Sequence, residues 1–146
     1  MLEIRSLSKS FREANQPIRV LHDLDLHLEA GETAALFGES GSGKTTLLNL
    51  IAGLDRPDAG QIVIDLESTQ DFNDSRWNEI RRNKIGLVFQ QYHLVPTLSV
   101  ADNLKLQARL SGRFNSEFFD FLGSKLGLIS LLKRLPHQLS GGQQQR

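Results

Sequence analysis

The stretch Gly38-Glu39-Ser40-Gly41-Ser42-Gly43-Lys44-Thr45 constrains the fold more than any other part of the chain. It fits the pattern G-x-x-x-x-G-K-[ST] and follows an apolar run, Thr33-Ala34-Ala35-Leu36-Phe37, suited to a buried strand. Glycines at Gly38, Gly41 and Gly43 permit a tight backbone that turns several N–H groups inward on an anion, with Glu39, Ser40 and Ser42 between them. A helix starting near Lys44 adds the positive end of its dipole. Lys44 can neutralise charge on β- and γ-phosphates, and the Thr45 hydroxyl, followed by Thr46, can ligate a Mg²⁺ that bridges them. The chemistry indicated is binding of a nucleoside triphosphate by an α/β fold. Kinases, GTPases, motors and transport ATPases all use such a loop, so it does not choose among them.

Periodicity supplies the surroundings. Leu2, Ile4 and Leu7 alternate approximately, and Leu24-Asp25-Leu26-His27-Leu28 alternates strictly. Joined by the polar stretch Glu13-Ala14-Asn15-Gln16-Pro17, these read as an antiparallel layer. Leu47, Leu50, Ile51 and Leu54 form a helical stripe that Arg56-Pro57-Asp58-Ala59-Gly60 ends. Gln61 to Leu66 and Ile85-Gly86-Leu87-Val88-Phe89 are further strand candidates. Beyond Pro96 the spacing turns helical. Ser99 and Asp102 have capping-box spacing ahead of Leu104, Leu106 and Leu110. Asn115-Ser116 opens a second helix, whose Phe118, Phe121, Leu122 and Leu126 are expected in a core, and a third runs near Leu128 to Leu135.

Composition narrows the partners. Lysines plus arginines and aspartates plus glutamates are 17 each, so no basic footprint points to nucleic acid. With no cysteine, neither disulfides nor thiolate metal sites arise, and His22, His27, His93 and His137 are scattered. The sequence has no apolar run of spanning length and no signal-peptide layout, so the expected compartment is the cytoplasm.

A second motif decides the class. Leu139-Ser140-Gly141-Gly142-Gln143 follows the helical stretch, with a hydroxyl and glycine N–H groups at a helix start that suit a γ-phosphate. In isolation it also reads as a simple helix cap. In this order after the phosphate loop it resembles the signature of the ABC ATPase family. Gln90, ending the run Ile85 to Phe89, resembles that family's Q-loop glutamine; Gln91 is the alternative. Leu7-Ser8-Lys9-Ser10-Phe11 resembles the stretch that sets an aromatic against adenine, with Phe11 on the base and Val20 lining the pocket, or Phe11 simply in the core. Gly53-Leu54-Asp55 and the run from Gln90 to Asn103 look most like the lipoprotein-release, macrolide-export and cell-division branch. Asp65-Leu66-Glu67 departs from the glycine turn common in relatives, at a surface loop.

The resemblance covers the whole chain and implies an α/β P-loop NTPase of ABC type: an N-terminal antiparallel β layer, a partial parallel core sheet and a small helical subdomain. About 1–95 would form the nucleotide-binding core, 96–138 the helical subdomain, and 139–146 the signature and the start of its helix. The family's Walker B strand, catalytic glutamate, D-loop and switch histidine follow the signature, so a chain ending at Arg146 is expected to lack them, to be marginally stable alone and not to hydrolyse ATP. In the complete domain, Lys44 and the loop hold ATP, and Thr45 and Gln90 serve Mg²⁺. Residues Leu139 to Gln143 act on the nucleotide of a second, head-to-tail copy. Tyr92 to Pro96 docks a membrane permease, or is a solvated loop. The protein would then sit on the inner face of the cell membrane through that partner, in an export or lipoprotein-release system. Competing readings are a truncated, non-hydrolysing nucleotide-binding remnant, a soluble ABC ATPase acting on DNA or ribosomes, and a small-molecule kinase.

Overall fold

The computed structural model describes residues 1–13 and 16–146. Ala14 and Asn15, in the expected polar connection, lie outside the described residues. The chain forms two compact units, Met1–Leu87 and Val88–Arg146.

The first unit is built on a four-stranded antiparallel sheet of order β2-β1-β3-β4. Its strands are β1 (Leu2–Glu13), β2 (Gln16–Leu28), β3 (Ala59–Ile64) and β4 (Glu67–Ser68). Imperfect alternation in β1 has a local cause. Ser6 has φ 47° and the register shifts between Ile4 and Leu7, so one extra residue returns Leu7 to the core face. The Ser6 N–H donates to Asp25 Oδ1 at 2.7 Å, which satisfies the group the irregularity frees. In β2 the strict alternation holds: Leu24, Leu26 and Leu28 are half-buried while Asp25 and His27 are exposed.

Helix α1 (Lys44–Ile51) and helix α2 (Asp74–Asn83) cover this sheet. Leu47 and Leu50 of α1 and Trp77 and Ile80 of α2 join Ile4, Leu7, Leu21, Ile62 and Ile64 in one core. Leu54, at the end of the expected stripe, is 49 % exposed, because α1 stops at Ile51. Helix α2 was not foreseen, since its only large apolar anchors are Trp77 and Ile80. It is locked from outside by Asn73, whose side chain accepts from the Arg76 N–H, and by an Arg76–Glu67 ion pair. Its Arg81 guanidinium donates to the Gly53 carbonyl at 2.8 Å, just past the C-terminal end of α1.

The expected parallel sheet is not formed among the described residues. Thr33–Phe37 and Ile85–Phe89 take part in no ladder, and Phe37 is 91 % and Val88 96 % exposed. A parallel strand is stable only with neighbours on its edges and cover on its faces, and without them its backbone groups remain with solvent. The α/β class and its antiparallel layer stand; these two runs carry no regular secondary structure rather than forming buried strands.

The second unit is helical: α3 (Val100–Leu110), α4 (Ser116–Lys125) and α5 (Gly141–Gln145), with single 3-10 turns at Ile129–Leu131 and Pro136–Gln138. Ser99 caps α3, accepting from the Asp102 N–H and donating its hydroxyl to Asp102 Oδ2 at 2.6 Å. The helix expected over Leu128 to Leu135 shrinks to one turn. The Leu132 and Arg134 carbonyls accept instead from Ala101 and Val100, the first N–H groups of α3. The aromatic stripe of α4 also differs from expectation. Phe118 is 60 % and Phe121 54 % exposed, and their rings stack on each other. Leu122 and Leu126 are half-buried as expected, and Phe119 and Gly123 turn inward in place of the two exposed rings, with the Lys105 ammonium 4.5 Å from the Phe119 ring centroid.

Candidate nucleotide-binding site

The phosphate loop leads directly into α1, and its last glycine shows why the motif needs one. Gly43 caps the helix at φ 91°, a conformation L side chains rarely adopt, and it is buried. A Cβ there would stand 2.9 Å from Val20 Cγ1 and 3.0 Å from the Val20 carbonyl oxygen. The close approach sets the start of α1 against β2.

Lys44 turns back into the loop it ends. Its ammonium donates to the Gly38 carbonyl at 2.9 Å, the Glu39 carbonyl at 2.7 Å and Ser42 Oγ at 3.2 Å. A cation held by carbonyls in the concavity of the loop is the arrangement that favours an anion arriving there. Gly38 and Gly41 have positive φ, Ser40 is exposed, and the Ser42 N–H donates to the Glu39 carbonyl at 3.3 Å. Thr45 is exposed on the first turn of α1, with Thr46 half-buried behind it.

The base-side candidates come from β1 and β2. Phe11 pairs with Ile18 across the sheet, and Val20 lies two residues further along β2. Phe11 is 42 % exposed, against the alternative that it is a core residue. Val20 touches the core and stands against Gly43, so β2 carries the apolar edge directly to the phosphate loop. Ile18, 44 % exposed opposite Phe11, was missed in the sequence, although its alternation with Val20 was the available signal.

Beneath this edge lies Lys9, only 8 % exposed. Its ammonium donates to Asp55 Oδ1 at 2.8 Å and to the Arg56 carbonyl at 2.6 Å. Burial raises the Asp55 carboxyl, but the hydrogen bonds from Lys9 and the Arg56 N–H, with the Lys9 charge, hold it below the usual carboxylate range.

The remaining candidates belong to the second unit. Gln90 and Gln91 are both exposed, and nothing in their surroundings separates them. They are followed by Tyr92, 46 % exposed, and His93, whose ring meets Phe89 edge-on at 4.8 Å. Val95 to Ser99 are fixed by Asn103, whose side chain bonds to Val95 through both its amide atoms and to the Leu98 and Ser99 carbonyls. The motif Leu139 to Gln143 starts α5 with a reciprocal cap. Ser140 Oγ accepts from the Gln143 N–H at 3.4 Å, and Gln143 Oε1 accepts from the Ser140 N–H at 3.0 Å. The helix-cap reading and the signature reading are therefore compatible: capping uses Ser140 Oγ as an acceptor, which leaves its hydroxyl proton available as a donor beside exposed Gly141 and Gly142. Leu139 and Gln143 are half-buried and line a cleft of about 190 Å³ that also meets Tyr92 and Leu104.

Comparison with known proteins gives the family of the chain. A family model described as ABC transporter matches residues 21–146. The macrolide export ATP-binding/permease protein MacB of Agrobacterium fabrum is 40% identical over 149 residues, covering 100% of this chain and 23% of the relative. Its counterpart in Hahella chejuensis is 41% identical over the same length and coverage. The chain thus spans about a quarter of the length of these relatives. Among solved structures, an ATP-binding cassette in a dimeric, post-hydrolysis state bound to ADP and Pi superposes with a TM-score of 0.86 at 34% identity. That match covers 99% of this chain and 65% of the other. A dimeric bacterial ABC transporter cassette gives the same TM-score at 33% identity, with the same coverage. With a phosphate loop, a capped signature motif and this breadth of similarity, the chain belongs to the ABC transporter family.

Proposed function

We propose that the chain is part of an ATP-binding subunit that couples nucleotide binding and hydrolysis to movement of a membrane permease, in an export system resembling the macrolide exporters. The observation that carries this reading is the Lys44 ammonium, held inside the phosphate loop by the Gly38 and Glu39 carbonyls at the start of α1. ATP entry exchanges those carbonyls for phosphate oxygens, so the lysine keeps its position while gaining a charged partner. Loop N–H groups between Glu39 and Thr46, apart from that of Ser42, would supply further donors, and the helix dipole favours the same charge.

The residues present fit a magnesium ion. Thr45 exposes a hydroxyl one residue beyond Lys44, and Gln90 exposes an amide oxygen in the second unit. Both are the hard oxygen donors that Mg²⁺ takes. When bound, the ion supplies neutralisation of the β- and γ-phosphate charge. Thr45 would hold the ion beside Lys44, Gln90 would offer a further oxygen in the complete domain, and Phe11 with Val20 would receive the base.

In the complete assembly two copies face each other head to tail. The Ser140 hydroxyl and the Gly141 and Gly142 N–H groups of one copy then meet the γ-phosphate held by the other. Closure on ATP and reopening after hydrolysis reach the permease through Gln90 to Pro96, a segment exposed except at Leu94 and Val95, the latter held by Asn103. The subunit accordingly works at the inner face of the membrane; no helix among the described residues is long and apolar enough to cross one.

Titration with Mg·ATP tests the reading. Lys44→Ala is expected to weaken binding roughly ten- to a hundredfold, the loss of charge-assisted hydrogen bonds. Unchanged affinity in that variant rules the site out.

A further inference from the structure

Lys9 is buried beside the candidate base platform, yet no role in binding or catalysis follows from the motifs. An ammonium withdrawn from water is tolerated only with close partners. Here these are Asp55 Oδ1 and the Arg56 carbonyl, with Asp58 Oδ1 at 3.9 Å. All three belong to the turn that follows α1 and Gly53. The clamp extends along β1: the Ser10 N–H donates to Asp58 Oδ2 at 2.7 Å, and the Asp58 N–H donates to the Ser8 carbonyl at 3.0 Å. Residues 8, 9 and 10, immediately before Phe11, thus each hold the turn.

Anchoring the turn needs only the Asp55 and Arg56 bonds. The ammonium also stands 5.1 Å from the centroid of the Phe11 ring. A cation at that distance restrains the ring and draws on its π-electrons, leaving the exposed part of the ring less repulsive to the π-face of a purine. From these contacts we infer that Lys9 is a positioning residue for the nucleobase: it sets the Phe11 ring and ties it to the turn ending the phosphate-loop helix. The inference rests on Phe11 being the base platform. Base-dependent affinity then depends on Lys9, while triphosphate affinity depends on Lys44.

The two contributions separate when Mg·ATP and inorganic tripolyphosphate with Mg²⁺ are titrated into the full chain. The unmodified chain is expected to prefer ATP by about tenfold, a typical base–aromatic stacking effect. Phe11→Ala should abolish that preference. Lys9→Met should remove most of it while leaving tripolyphosphate affinity unchanged, and Lys9→Met combined with Phe11→Ala should fall no further. Equal loss for both ligands assigns Lys9 a purely structural role and overturns the proposal, as does an unchanged ratio. If instead Phe11→Ala leaves the ratio unaltered, the base-platform reading itself fails and takes the Lys9 role with it. Should circular dichroism show Lys9→Met unfolded, Lys9→Gln retains a donor for the Arg56 carbonyl without the charge and is judged by the same ratio.

Discussion

Single residues carry strain as well as chemistry. Asp65 and Leu66 form the two-residue loop between β3 and β4, both with positive φ, 49° and 70°. Glycine and asparagine are the residues that fit such a turn. Asp65 is compensated by ion pairs with the N-terminal amine at 3.1 Å and Lys84 at 2.9 Å. Hydrogen bonds from Lys84 and the amine, then their charges, hold its carboxyl below the usual range. Leu66 has no such support and is 81 % exposed. Leu66→Gly is therefore expected to stabilise the chain by about 1 kcal/mol, measured by denaturant unfolding. The sequence showed the departure from a glycine turn but not its geometry, because backbone sign is invisible in residue type alone. Lys44 was legible because its chemistry follows from its motif. Lys9 was not: its partners Asp55 and Arg56 lie 46 and 47 residues away.

At the scale of elements, local signals succeeded where a helix or strand is specified by its own residues. The caps at Ser99 and Asn115 and the alternation of Leu24, Leu26 and Leu28 are of this kind. They failed where the partner decides. Thr33–Phe37 and Ile85–Phe89 have strand composition, but a ladder requires a neighbour. In α4 the aromatic residues suggested a core face, yet Phe119 turns inward while Phe118 and Phe121 do not. Packing between α1 and α2 is a further case. Gly53 has φ 63°, and a Cβ there would overlap the Trp77 ring. Gly53→Ala thus combines backbone strain with overpacking, and about 3 kcal/mol of destabilisation is expected. A thermal melt checks this, and an unchanged midpoint would contradict the packing described.

On the scale of the whole molecule, the roles proposed above for Lys44, Thr45 and Gln90 are to neutralise or ligate charge, and none of these three side chains is a base that would activate water. Mg·ATP added to this chain alone is expected to release no phosphate above background, and Phe37 and Val88, largely exposed, predict a low, broad melt. Sustained turnover or a sharp, high transition argues against both expectations. Each unit also carries its own spectroscopic label. Trp77, the single tryptophan, packs edge-on to Phe72 at 5.4 Å and lies against Gly53, just beyond the end of the phosphate-loop helix. Tyr92, the single tyrosine, has its hydroxyl 3.8 Å from where a Cβ on Gly141 would stand. Indole emission, excited beyond the phenol band, therefore reports on the first unit at the end of α1, and the ring resonances of Tyr92 report on the surroundings of Gly141, so the two units can be followed separately without attaching a dye.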